Sequence, residues 1–352
     1  MSREFLRPRG RMSVTIAMSL LLAIASACGG GASTAAGADE HIQITVSGYP
    51  VALYGLPYEV AIDKGIFKQN RIVIDKIVPA SGGGTSVRAM TAGKLAFGEV
   101  ATGAALQAYN AGAPVVIVAG SVPDLNDGYS ITRKDAPFTS MQDLKGHVLG
   151  YTNPGSVTEV TQRLLIDQAG LQAKDFTFKS TGGLTEGLTL LKQGQVDMVA
   201  LTDPQFTVEA AKGKIKAVFS SSQYIKSFQQ TVIATSPLIV KENPDLIRRY
   251  LLSYKQAVEW IQAHPDEAGA IFAKYGEYDV AASQSAVKRL VTPVHWSLAI
   301  SLEGLNLLLR GCLLAGVLKP GTDINWSEIL NQSFLPAGTD KLDVTKINSL
   351  KS

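Results

Sequence analysis

Cysteine is scarce: two in 352 residues, Cys28 near the start and Cys312 in an apolar stretch far downstream, too few for a disulfide scaffold. The four histidines, His41, His147, His264 and His295, are scattered and match no metal-ligand spacing, so neither metal nor cofactor is expected. Basic residues are not clustered in the body of the chain. Of 33 lysines and arginines, Arg3, Arg7, Arg9 and Arg11 stand in the first 27 residues with one of the 30 acids, Glu4, which leaves the remainder neutral. A neutral body without a basic block excludes nucleic acid and anionic lipid as partners. Long apolar runs are missing too, since 14–24 is roughly half of the ~20 residues a membrane-spanning helix needs. Among catalytic signatures there is no H-E-x-x-H, no G-x-x-x-x-G-K and no G-x-S-x-G elbow. The chain is therefore not expected to be an enzyme. With 46% hydrophobic residues it is too apolar for disorder, and at about 100–200 residues per domain its length suggests two domains.

The first stretch carries an address. An Arg-rich start, the apolar run and the small residues Ala25-Ser26-Ala27 before Cys28 make residues 1–27 an export signal. Ala25 and Ala27 satisfy an A-x-A cleavage site. The same residues resemble a bacterial lipobox, in which Cys28 is lipidated, although Ala25 stands where leucine is usual. A Gly/Ala/Ser/Thr tract follows, giving a flexible tether over 28–40. A tether directly after a cysteine suits an anchored protein; the alternative is a soluble exported protein with a free thiol at its tip. Cys312 then has no partner and behaves as a small hydrophobe.

From residue 42 short strands alternate with helices, the pattern of an α/β chain. Strands are predicted at 42–46, 72–77, 95–97 and 115–119, with helices stopped by Gly65, Gly93 and Gly112. A second series predicts strands at 147–150, 176–178, 196–200 and 216–219, with stops at Gly170, Gly194 and Gly213. An offset of 101 carries Gly82 to Gly183, Gly93 to Gly194, Leu95 to Val196, Phe97 to Met198, Gly112 to Gly213 and Val118 to Phe219 without a gap. Either α/β units share such spacing by chance, or two lobes of like fold present their strand-to-helix loops to one cleft. The second reading places connectors at 123–130, which is turn-rich, and at 229–235, which is β-prone. Lobe I is then discontinuous, 41–128 and 234–352, and lobe II covers 129–233. Further on, Ile247, Tyr250, Leu251, Tyr254, Val258 and Ile261 form one apolar helical stripe. Glu303, Asn306 and Arg310 share a face of the 302–318 segment and mark it as a packing helix rather than a membrane span.

Several motifs recur in a known order: Ile44 to Pro50 leading to Asp63-Lys64-Gly65-Ile66-Phe67, then Ser81-Gly82-Gly83-Gly84-Thr85. Ala92-Gly93-Lys94-Leu95-Ala96-Phe97-Gly98, Asp143-Leu144-Lys145-Gly146 and Gln193-Gly194-Gln195-Val196-Asp197 follow. In these the chain resembles, over about residues 42–275, the substrate-binding proteins of bacterial ABC importers, within the SsuA/THI5-like group of sulfonate, nitrate, taurine and pyrimidine-precursor binders. Ala96 departs from the acid usual there, which Asp197 keeps in the second copy. The resemblance implies a two-lobed type II periplasmic-binding-protein fold, each lobe a mixed sheet flanked by helices and joined by two hinge crossings. It implies a monomeric extracytoplasmic receptor that closes on a small molecule and delivers it to a permease driven by an ATPase subunit, touching the membrane only through its lipid anchor. A sensor signalling to a membrane partner is the alternative, and a same-fold enzyme a remoter one.

The expected site is built from helix N-termini, whose free N–H groups and partial positive charge receive an anion or a carbonyl oxygen. In the first lobe the candidates are Gly48, Tyr49, Gly83, Gly84, Thr85, Ala101 and Thr102; in the second, Asn153, Gly155, Ser156, Thr185, Thr202 and Asp203. The glycines serve as ligand cradle or simply as turn, and Thr102 and Ser156 as ligand contacts or N-caps. Asp203 either caps its helix or pairs with the amine of a zwitterionic ligand such as an aminosulfonate. Tyr49, Tyr54, Tyr129 and Trp296 are candidates for stacking on a ring, and Arg88 and Arg133 for clamping an acid group. These features do not choose among sulfonates, nitrate-like anions, aromatic acids and pyrimidines.

Overall fold

A computed structural model describes residues 38–92, 95–291 and 295–350. The expected export signal, Cys28 and the expected tether up to residue 37 lie outside the described residues, as does Gly93.

Among the described residues ten strands form two five-stranded mixed sheets. In chain order they are β1 (Glu40–Ser47), β2 (Ile72–Ala80), β3 (Phe97–Ala101), β4 (Val116–Val122), β5 (Gly128–Arg133), β6 (Val148–Tyr151), β7 (Thr177–Ser180), β8 (Met198–Thr202), β9 (Ile215–Ser220) and β10 (Thr231–Thr235). The first sheet has the order β2-β1-β3-β10-β4 and the second β7-β6-β8-β5-β9. Helices α1 (Leu56–Asp63), α2 (Ile66–Gln69), α3 (Gly84–Thr91) and α4 (Thr102–Asn110) flank the first sheet; α5 (Val157–Gln168), α6 (Leu184–Lys192) and α7 (Gln205–Ala211) flank the second. The C-terminal part adds α8 (Pro237–Glu242), α9 (Pro244–Ala263), α10 (Pro265–Gly276), α11 (Val280–Val291), α12 (Leu302–Leu314) and α13 (Trp326–Ile329).

The register shows how close the two halves are. Phe97 of β3 sits opposite Ile44 of the parallel strand β1, and Met198 of β8, 101 residues on, sits opposite Leu149 of the parallel strand β6. On the other side β3 and β8 each take an antiparallel neighbour: Val100 pairs with Val232 of β10, and Leu201 with Tyr129 of β5. That antiparallel strand is in each case the first one the chain makes after crossing over. The crossings are therefore shorter than the connectors expected at 123–130 and 229–235. Gly128 already pairs with Thr202 in the second sheet, and Thr231 with Ala101 in the first, three residues before the return expected at residue 234. The β-branched run Thr231-Val232-Ile233 fits a fully buried strand, and all five residues of β10 are buried. β3 and β8 also begin two residues later than expected. In β8 the Asp197 carboxylate is already committed to the backbone N–H of Val148 (3.0 Å) and the imidazole of His147 (3.2 Å), which fixes the turn before the strand.

The apolar stripe of α9 is buried at Ile247, Tyr250, Leu251, Tyr254, Val258 and Ile261. Its rings pack against the first sheet, with Tyr250 stacked on Phe97 at 3.9 Å between centroids. The other long apolar helix, α12, keeps Glu303 and Arg310 exposed and packs instead against α5 of the second lobe. There Gly311 admits Val160 and Leu164, and Cys312 is fully buried. A helix placed with lobe I by chain order thus rests on both lobes, and one apolar cluster runs from Val100 and Ala104 through Val160 and Leu164 to Leu308. Among the described residues no helix is long and apolar enough to cross a membrane.

Candidate functional site

In both sheets the parallel strands end at one place. Ser47 at the end of β1, Ser81 just past β2 and Ala101 at the end of β3 meet Thr152, just past β6, and Thr202, at the end of β8, around a single cavity. It measures about 600 Å³, its open mouth included. That is room for a compact molecule rather than a polymer. Ligands of open α/β sheets sit beyond strand carboxyl ends, and here two such ends share one space.

Helix N-termini come with them. Ser156 caps α5 by accepting from the Glu159 N–H at 3.2 Å, while the N–H groups of Val157 and Thr158, both on the cavity wall, have no intrahelical acceptor. Gly82 and Gly83, both at positive φ, bring the α3 N-terminus to the wall, and Leu184 brings that of α6. Gly83 lies so close to the other lobe that a Cβ there would stand 2.8 Å from the carbonyl oxygen of Pro154. The floor is made by the two crossings, through Leu125, Asp127, Gly128 and Gln230.

Several contacts hold the two lobes together at the mouth. The Gly84 N–H donates to Pro154 O at 3.3 Å. The Asn153 amide donates to Ser81 O and Ser81 Oγ at 3.3 and 3.2 Å, and within its own lobe to Gly182 O at 2.8 Å. Arg289 of α11 pairs with Asp203, whose side chain is fully buried.

Of the expected site residues, Gly48, Gly83, Ala101, Ser156 and Thr202 line the cavity, as does Tyr54. Asn153, Gly84 and Gly155 stand at the lobe contact; Gly155 lies against Ala104 and Gln107 of α4. The others are occupied elsewhere. Thr85 donates to Gly82 O at 2.5 Å, and the Thr185 hydroxyl accepts from Gln205. Thr102 is buried behind Ala101, its backbone N–H donating to Gln230 O at 3.0 Å. Tyr49 packs in the first lobe near Glu59 and Tyr275, and burial pushes its hydroxyl up to about 12. Tyr129 stacks on Phe206 at 4.1 Å, its hydroxyl also pushed up to about 12 by burial and the Asp203 charge. Trp296 is a core residue whose indole N–H donates to Leu53 O at 3.1 Å, so it walls no ligand. Arg133 is consumed by Leu191 O, Val196 O and Asp197, and Arg88 folds against Gly84. Asp203 is neither on the wall nor free for an amine. It accepts from the Thr207 hydroxyl at 2.6 Å and is neutralised by Arg289.

The sequence reading missed the floor. Gln230 is held by three groups: it accepts from Tyr54 OH at 2.5 Å, and its amide donates to Asp127 Oδ1 at 3.1 Å and to the Asp124 carbonyl. Behind it His295, fully buried, bonds Asp124 at 2.8 Å. Burial raises the carboxyl of Asp127 above its ordinary value, an effect the His295 charge and the Gln230 amide partly offset. Three cavity-lining residues keep a buried polar atom with no protein partner: Asp127 Oδ2, Thr161 Oγ1 and Thr202 Oγ1. Such an atom costs about 1–3 kcal/mol when left alone, so the wall is built to be completed by something polar. The signal was an acid beside a glycine at the start of the β-prone segment 128–133, passed over as turn composition.

Comparison with known proteins agrees with this architecture. A Brucella abortus (strain 2308) protein described only as a binding protein is 26% identical over 234 residues, 65% of this chain and 70% of its own. The periplasmic aliphatic sulphonate binding protein SsuA from Escherichia coli superposes with a TM-score of 0.67 at 16% identity, covering 86% of this chain and 95% of that one. The alkanesulfonate-binding protein SsuA from Xanthomonas axonopodis pv. citri, bound to MOPS, gives 0.68 at 14% identity, with 85% and 100% covered. At such identities the two structures establish the periplasmic-binding-protein fold and nothing about the ligand. The NMT1/THI5 like family matches residues 54–268, well over half of the chain. Two mixed sheets closing on one cavity, and a family match across both of them, lead to one conclusion: the chain belongs to the NMT1/THI5-like family.

Proposed function

We propose that the protein is the extracytoplasmic solute receptor of an ABC import system, which closes on one small polar organic molecule and hands it to a permease. The observation that carries this reading is the cavity to which both sheets contribute strand ends and helix N-termini, with buried polar atoms left for a ligand to satisfy. A ligand touching both lobes favours the closed form over the open one, and only such differential contact can drive closure. The closed surface is what a permease would read. The export signal and Cys28 fit this role by keeping the receptor at the membrane face.

The test joins binding to transport. In a thermal-shift screen of sulfonates, nitrate-like anions, aromatic acids and pyrimidines, a true ligand at ~100 times its Kd stabilises by about 2.7 kcal/mol. The same compound should compact the protein in small-angle scattering, and deletion of the gene should abolish its uptake by cells. A compound that binds without compaction, or uptake unchanged by deletion, overturns the receptor reading. For the anchor, Cys28→Ser should move the protein from the membrane fraction to the soluble one.

A further inference from the structure

The cavity is asymmetric in charge. Among the described residues no lysine or arginine lines it, and its one charged lining residue is Asp127, 1% exposed. Two more buried acids lie behind: Asp124, bonded to His295, and Glu99, which accepts from the Thr231 hydroxyl at 2.9 Å. Three acids therefore share one imidazole, and among the described residues no other basic side chain bonds to any of them. Of the neutral side-chain donors, the Gln230 amide reaches Oδ1, the Tyr54 hydroxyl is spent on Gln230, and the unpartnered Thr161 and Thr202 hydroxyls do not reach the carboxylate. Oδ2 alone remains without a partner. A carboxylate oxygen in that position can only accept, so the complementary ligand atom must donate. The α5 N-terminus elsewhere on the wall offers the reverse, with the free N–H groups of Val157 and Thr158 suited to an acceptor.

We propose that Asp127 is the specificity-determining residue of this cleft: it selects a compact ligand carrying a nitrogen that donates to Oδ2 and an oxygen acceptor turned toward α5, and it rejects a bare oxyanion. The inference rests on the receptor reading and narrows it. It moves the amine partner from Asp203, which Arg289 occupies, to the hinge floor. It also sets this chain apart from a receptor for simple alkanesulfonates, because an anion that donates nothing would leave Oδ2 unsatisfied and place like charges together.

The experiment is calorimetric titration of the full mature chain with matched pairs that differ only in the donor: taurine and ethanesulfonate, β-alanine and propionate, 4-aminobenzoate and benzoate. The amine member of a pair should bind at least about tenfold more tightly, the discrimination expected for one hydrogen bond to a charged group. Asp127→Asn, checked for an unchanged unfolding midpoint, should erase most of that ratio by weakening the amine member. Equal binding of both members, or preference for the bare anion, overturns the proposal and leaves the receptor reading standing. Binding of none of the six compounds overturns the proposal, and failure of the wider screen then removes the receptor reading as well. Should Asp127→Asn fail to fold, the wild-type pair ratios decide alone.

Discussion

Asn153→Ala separates closure from ligand contact. The side chain does not line the cavity, yet its amide bonds Ser81 O and Ser81 Oγ across the mouth. Its third bond, to Gly182 O, lies within the second lobe and is lost equally from open and closed forms, so it drops out of the equilibrium between them. The two cross-mouth bonds are long and solvent-exposed, which puts each near the low end of the usual 0.5–1.5 kcal/mol, about 1 kcal/mol together. At 1.4 kcal/mol per factor of ten, that shifts the balance toward the open form about fivefold. Apparent affinity scales with the fraction of protein in the competent state. With the free protein open in solution, which its radius of gyration checks, Kd should rise about fivefold through faster dissociation, with little change in association. Ser81→Ala removes only the Oγ partner and should give about twofold. Unfolding midpoints should move little, because no buried group is exposed. A Kd within a factor of two of wild type, with unchanged ligand-induced compaction, would refute the reasoning. It would mean that closure is set by the Gly84–Pro154 contact and the Arg289–Asp203 pair without help from Asn153.

The remaining expectations probe other contacts. Arg289→Ala leaves the fully buried Asp203 unpaired and should weaken ligand binding about tenfold or more, with Asp203→Asn restoring part of the loss in a double-mutant cycle. Ser156→Phe fills the cavity and should abolish binding while costing only about 1 kcal/mol of stability for the lost α5 cap; retained binding would place the ligand elsewhere. Gly311→Ala puts a Cβ 2.5 Å from Val160 Cγ1 and should destabilise by about 1–3 kcal/mol in denaturant titration, despite the better helix propensity of alanine. Burial raises Glu99 to about 7, against a pull downward from the Thr231 hydroxyl, so the native state holds a proton the unfolded chain releases near 4.5. Stability from this group is thus full below about 4.5 and is lost as pH rises through about 7, a few kcal/mol in all, and Glu99→Gln should flatten that slope. Asp124, Asp127 and His295 share the cluster; the raised Asp127 and His295 push in the same direction and leave a smaller residual slope.

What could be seen in the sequence, and what could not, divides along a physical line. The α9 stripe and the duplicated glycine stops were legible because a helix face or a turn is specified by residues a few positions apart. The ends of β1, β6 and β8 were legible as cavity-lining positions for a related reason. In an open α/β sheet the strand's carboxyl end is where loops gather, so Gly48, Ser156 and Thr202 could be placed by topology alone. β5 and β10 were not recognised as sheet members because their partners are long-range: Thr231 finds Ala101, and Gly128 finds Thr202. Side-chain partners are equally invisible from local pattern. Asp203 was a plausible amine acceptor until α11, 86 residues downstream, supplied Arg289, and Trp296 was a plausible wall until its indole met Leu53.

The same line runs through the site itself. On the proposed reading, closure is made by elements that local sequence announces, the glycine turn at 82–84 and the Asn153-to-Ser156 loop, through backbone groups and one amide that any ligand class could share. On the same reading, chemical choice is made on the crossings, where Asp127 and Gln230 meet from segments 103 residues apart. A receptor built this way can change its ligand without changing how it shuts. Two members of the family with the same glycine turns and the same α5 cap should therefore close alike yet differ in ligand wherever the residue at the Asp127 position differs. Transplanting that residue alone, and reading the amine-to-anion ratio, separates the two properties directly.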